Sequence, residues 1–174
     1  MIGMSNTLLV DTDVLIGFLR GNKKAIAFID KYSPHIILSP IVVAELYAGV
    51  KGAKELAVLD NFISLFRMIP IDADIAKAGG LYKRDFNNSH GVGIADAILA
   101  ATVNKENAEL KTLNVKHYPM ISGLNPAYKK NGLTFFVSIH VPLAAEKRAR
   151  PQGLYHGTTF RRFHVRSFSH AFSG

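Results

Sequence analysis

Apolar residues along this chain fall into short dense runs separated by longer stretches with helical spacing. The runs at 7–10, 36–38, 68–71, 110–115 and 133–137 have strand length and are rich in β-formers. Between them, 14–19, 23–32, 40–47, 54–66, 73–86 and 94–103 carry apolar residues at helical intervals. Punctuation agrees with these limits: Gly21 and Ser33-Pro34 stop the first two helices, and Ser39 with Pro40 supplies a cap and a first-turn proline for the third. Asp72 is placed to cap the helix from 73, which Gly79-Gly80 weakens by about 1 kcal/mol per glycine relative to alanine. Residues 87–93 read as a polar loop. Regular strand–helix alternation predicts an α/β protein with a mostly parallel sheet and helices on both faces, a three-layer sandwich.

The pattern dissolves near residue 145, which divides the chain into a folded part, 1–140, and a tail, 141–174. Charge divides it at the same place. The whole chain has 21 Lys and Arg against 13 Asp and Glu; residues 146–174 hold six and one, leaving 15 and 12 before them. The tail therefore carries +5 of the net +8, and its Phe160, Phe163 and Phe168 are interleaved with Arg161, Arg162 and Arg166. A basic excess points to a polyanionic partner such as nucleic acid and says nothing of the fold. The absence of cysteine excludes a disulfide framework and a thiolate zinc site. No apolar run reaches membrane-spanning length, and a protein of the reducing cytoplasm is expected.

Three acids change this picture. Asp11 ends the first strand, where open α/β sheets place their chemistry. Glu45 and Asp96 are each the lone acid in an otherwise apolar helical stretch. Burial of an unpaired carboxylate is costly, and the sheet brings all three toward one edge. Convergent carboxylates repel unless a cation joins them, and an all-oxygen set suits Mg²⁺ or Mn²⁺. The seven histidines show no ligand spacing, and the His90-Gly91-Val92-Gly93 stretch lacks the rest of a dinucleotide fingerprint.

Leu9-Val10-Asp11-Thr12-Asp13-Val14-Leu15-Ile16, Ser39-Pro40-Ile41-Val42-Val43-Ala44-Glu45-Leu46-Tyr47-Ala48-Gly49 and Ile94-Ala95-Asp96-Ala97-Ile98-Leu99-Ala100-Ala101 resemble PIN-domain ribonucleases, and most closely the VapC-type toxins of prokaryotic toxin–antitoxin pairs. Thr112-Leu113-Asn114-Val115-Lys116-His117-Tyr118 resembles the fourth block of that family. The resemblance runs from about residue 6 to residue 137 and implies a metal-dependent endoribonuclease. Asp11, Glu45 and Asp96 would hold Mg²⁺ or Mn²⁺, with Thr12 and Thr112 orienting them or a water. Asn114 would contribute an amide oxygen where the family often places a further acid. A homodimer and an antitoxin that covers the site are implied as partners, beside the RNA substrate.

Two other readings compete. Asp11-Thr12-Asp13-Val14-Leu15 approaches the opening motif of haloacid-dehalogenase-like phosphatases, with Asp11 as nucleophile and Asp13 as general acid. Leu15 departs from that motif, no later pair of acids completes it, and Glu45 is left without a role. In a nuclease, by contrast, Asp13 is expected to be a helix-start residue. The other reading is a non-catalytic RNA-binding module that uses the tail for stacking.

Overall fold

Leu8, Leu9 and Val10 are all buried, as are Ile36, Ile37 and Leu38, so two neighbouring strands are covered on both faces. Strands of this kind need helices above and below, which is the parallel α/β arrangement. The computed structural model describes residues 7–129. The order is β1 (Leu8–Val10), α1 (Thr12–Leu19), α2 (Lys23–Tyr32), β2 (Ile36–Leu38), α3 (Pro40–Ala48), α4 (Ala53–Ile63), β3 (Arg67–Met68), α5 (Ala73–His90), α6 (Ile94–Glu106) and β4 (Glu109–Lys111). Single 3₁₀ turns occupy Ser33–His35 and Val115–His117.

The sheet runs β3-β2-β1-β4, and every pairing is parallel. Leu8 stands beside Ile36 on one side and Glu109 on the other. After β1 the chain builds outward through β2 and β3, then returns across the sheet to lay β4 on the opposite flank. Strand order therefore reverses between β1 and β4. The crevice beyond the carboxyl ends of such a pair is where open α/β sheets bind ligands.

The core is aliphatic, with an aromatic seam in which Phe18 stacks on Phe62 at 5.0 Å and Phe62 meets Phe66 edge-on at 5.1 Å. On α5, Gly79 meets α6 directly. A Cβ there would lie 2.9 Å from Ile98 Cγ1 and 3.1 Å from its Cα, so the two helices approach as closely as they do only because residue 79 lacks a side chain. The glycine that weakens the isolated helix is needed by the pair.

Several limits differ from the sequence expectation. Helix α5 runs through residues 87–90, expected as loop. Lys83 Nζ reaches Asn87 Oδ1, and Gly91, at φ +64°, supplies the left-handed residue that ends the helix. Strand β4 is Glu109–Lys111 rather than 110–115, because Thr112 turns its hydroxyl to accept the Asn114 N–H. Strand β3 is Arg67–Met68, stopping before Pro70, and α4 closes at Ile63. The strand expected at 133–137, the division at 140 and the basic tail lie outside the described residues.

Candidate metal centre

Asp11 is the last residue to join the sheet and the first to leave it. Its N–H donates to the Lys111 carbonyl at 2.9 Å, extending the β1–β4 ladder by one bond, and its extended backbone makes it the N-cap of α1. One carboxylate oxygen, Oδ1, accepts the Thr12 N–H at 2.7 Å. The other, Oδ2, accepts the hydroxyl of Tyr118 at 2.8 Å. Burial pushes the Asp11 carboxyl above its ordinary value, and the Asp96 charge adds to this. Hydrogen bonds from Thr112, Tyr118 and Thr12 pull the other way without prevailing.

Asp96 comes from α6, whose first turn begins at Gly93 after the return crossing. At the third helical position its Oδ2 reaches back to the Gly93 N–H at 3.3 Å, while Oδ1 lies 3.4 Å from the Tyr118 hydroxyl. The entry to α6 is itself fixed, because Lys83 Nζ donates to the Val92 carbonyl at 2.7 Å. Tyr118 is 1% exposed, and its hydroxyl lies between the carboxylates of two separate elements. Burial, then Asp11, Asp96 and Asp13, push the phenol far up, so it keeps its proton and serves as donor.

Glu45 is joined at one remove. It is exposed on α3, so the burial argument that singled it out in the sequence does not apply. Its Oε2 accepts the Thr12 hydroxyl at 2.5 Å, and Thr12 directly follows Asp11. Thr112 is fully buried at the end of β4, with its hydroxyl 3.4 Å from Asp13 Oδ2. Asn114 turns its amide nitrogen to the His117 ring, 3.0 Å from Nδ1 and 3.2 Å from Nε2. His117 Nδ1 stands 3.4 Å from Asp96 Oδ2.

Asp13 stands at the helix start, as expected, and has a second role. It belongs to the first turn of α1, and its Oδ2 accepts the Leu113 N–H at 2.9 Å. Through this contact the carboxylate acts as a clamp between α1 and the loop after β4.

Among the described residues, no lysine or arginine pairs with Asp11, Glu45 or Asp96. Nor do three His, Asp or Glu side chains among them close on one point in coordinating geometry, since the carboxylates stand around the Tyr118 hydroxyl. The donor set fits a divalent cation through its chemistry: oxygen ligands, and a half-buried Asp11 with no lysine or arginine partner among the described residues. The sequence pointed to Asp11, Thr12, Asp96 and Thr112, and the fold gathers them in one crevice. It missed Tyr118, whose hydroxyl, on a side chain this buried, requires a partner.

The PIN domain family profile matches residues 8–117. Ribonuclease VapC19 of Mycobacterium tuberculosis is 37% identical over 124 residues, covering 69% of this chain and 98% of its own. Ribonuclease VapC10 of the same organism is 35% identical over 129 residues, covering 72% and 96%. Among solved structures, a toxin–antitoxin complex from Klebsiella pneumoniae superposes with a TM-score of 0.59 at 27% identity, over 71% of this chain and all of that one. VapBC2 from Rickettsia felis, bound to a DNA fragment from its promoter, gives 0.57 at 25% identity, over 68% and 95%.

Proposed function

This chain belongs to the PIN-domain family, and on that footing we propose that it is a divalent-metal-dependent endoribonuclease, the toxin of a toxin–antitoxin pair. One observation carries the reading: Asp11 and Asp96, delivered by different elements to the switch-point crevice, meet at one buried hydroxyl, and no lysine or arginine among the described residues offsets them. The names of the VapC relatives supply the substrate class, RNA.

Asp11 and Asp96 would hold Mg²⁺ or Mn²⁺, with Glu45 completing the set. A bound ion supplies a water of lowered pKa and offsets charge that builds on the phosphate. The residues around it have separate tasks. Tyr118 orients Asp11 and approaches Asp96, Thr12 holds Glu45 toward β1, and Asp13 fixes the turn that carries Thr112 and Asn114. Hydrolysis adds water to phosphorus and breaks the bond to the 3′ oxygen, leaving a 5′-phosphate and a 3′-hydroxyl.

The antitoxin partner is supported by the toxin–antitoxin complexes among the structural neighbours. A homodimer is supported by apolar side chains left outward on α4 and α5, Leu56 at 43% and Leu81 at 41% exposure. No helix of the described residues is long and apolar enough to cross a membrane.

The test is cleavage of single-stranded RNA by the purified chain in Mg²⁺ or Mn²⁺, with chelator and with Asp96→Asn. The expected result is 5′-phosphorylated fragments from the wild type in metal and none in either control. Undiminished cleavage in chelator, or by Asp96→Asn, would overturn the reading.

A further inference from the structure

We propose that His117 is a nitrogen ligand of this centre, so that the site ranks Mn²⁺ and Co²⁺ above Mg²⁺. The inference rests on the metal-dependent reading above and deepens it by naming the ion class.

His117 ends the 3₁₀ turn Val115–His117, and its position is set from both sides. Its own N–H donates to the Asn114 carbonyl at 3.0 Å, and the next residue is the buried Tyr118 that meets Asp11 and Asp96. The ring is therefore carried to the rim of the same crevice, with Nδ1 3.4 Å from Asp96 Oδ2. It is half-buried, neither sealed in the core nor free in solvent.

The contact with Asn114 shows which part of the ring is available. The amide nitrogen is 3.0 Å from Nδ1 and 3.2 Å from Nε2. In-plane lone pairs on the two ring nitrogens diverge, so an atom almost equidistant from both lies over the face of the ring. Asn114 thus braces the imidazole from above, while Nδ1 stands 3.4 Å from Asp96 Oδ2.

Imidazole is a poor ligand for Mg²⁺, which takes carboxylate, carbonyl and water oxygens, whereas first-row transition ions accept nitrogen readily. Asp11, Asp96 and Glu45 provide the oxygen ligands and the charge. His117 adds a ligand without charge, which shifts selectivity more than electrostatic attraction.

The experiment titrates the full chain with Mn²⁺, Co²⁺ or Mg²⁺ alone, without RNA. Calorimetry gives the affinities, and pulsed electron paramagnetic resonance of the Mn²⁺-loaded protein reads nitrogen coupling. Expected are imidazole ¹⁴N coupling in the wild type and its loss in His117→Asp. That variant, an all-oxygen site, should also narrow the Mn²⁺-over-Mg²⁺ preference by about 10–100-fold, the range that disturbing a metal's surroundings costs in affinity. Bound Mn²⁺ without nitrogen coupling overturns the assignment of His117 and leaves the nuclease reading standing. No binding of any of the three ions overturns both.

Discussion

Two groups of acids lie on the α5–α6 side of this molecule and at its crevice, and they are treated in opposite ways. Asp72 and Asp74, at the start of α5, meet Lys105 of α6 at 2.5 and 3.0 Å in open solvent. Asp72 also caps its helix through the Ile75 N–H, so its charge is matched twice. Asp11 and Asp96, by contrast, meet a phenol in the interior and, among the described residues, no lysine or arginine. Hydrogen bonding to Lys105 holds the Asp72 carboxyl below its ordinary value, while burial lifts that of Asp11 above it. Where the fold matches an acid with a cation of its own, the acid serves structure. Where it desolvates an acid such as Asp11 and, among the described residues, gives it no lysine or arginine, the acid fits the proposed role of holding a cation from solution.

The most severe way to break this contrast is Asp11→Asn. RNA cleavage should fall by at least about 10²–10³-fold, the scale for losing one preorganised electrostatic partner. The metal-free protein should nevertheless melt higher at neutral pH, since Asn caps a helix as well as Asp and carries no charge to desolvate. The sign follows from the raised carboxyl. Below the unfolded value of 3.8 both states are protonated and Asp11 costs nothing; as pH rises through the higher folded value, the penalty appears. The advantage of the variant should therefore vanish on acidification, which melting curves from pH 3 to 7 would read; a constant gap would show that desolvation is not its cause.

Tyr118→Phe removes the hydroxyl the two acids share. Stability should fall by about 1–3 kcal/mol, the cost of leaving a buried acceptor unmatched, measured by denaturant unfolding of the metal-free protein. If saturating Mn²⁺ restores none of the loss, the phenol and the cation do not serve the same carboxylates. Asp13→Asn is milder. Its amide oxygen can still accept the Leu113 N–H, so about 1 kcal/mol and near-normal cleavage are expected, and loss of cleavage would move Asp13 into the reacting set.

The smallest effect belongs to the outer pair. Lys105→Met should leave the melting temperature at neutral pH nearly unchanged, because solvent-exposed ion pairs contribute little. The depressed carboxyl of Asp72 gives stability that is present above its unfolded value and lost as pH falls through the folded one, so any difference should fade in acid. A large neutral-pH loss would mean that the solvent-exposed acids carry more of the fold than the crevice acids do.

The sheet was legible because β1 and β2 are short runs of aliphatic residues that alternate with helical stretches, the pattern of a parallel sheet covered on both faces. Asp11 was legible because it ends the first of these runs. Tyr118 was not, since an aromatic residue in a mixed block reads as core and nothing in the sequence says where its hydroxyl points. Asp13 was legible as a helix-start residue, but its bond to Leu113 was not, since that partner lies 100 positions later, beyond the reach of any local rule. Glu45 was found through a burial argument that the structure does not support, although its link to Thr12 still brings it to the site. Residues 87–90 extend α5 against their polar composition, because a helix with one face in water needs few apolar residues there.

Gly79 belongs to none of the four sequence blocks, and its consequence is genetic. Ile98, the residue it touches, lies two positions after Asp96 on the same helix, so any side chain at 79 pushes on the segment that aims that carboxylate. In a selection for variants whose host survives their expression, inactive alleles should cluster not only at the acids but also at this glycine, which touches none of them. A second-site suppressor would then be sought at Ile98, as a smaller residue.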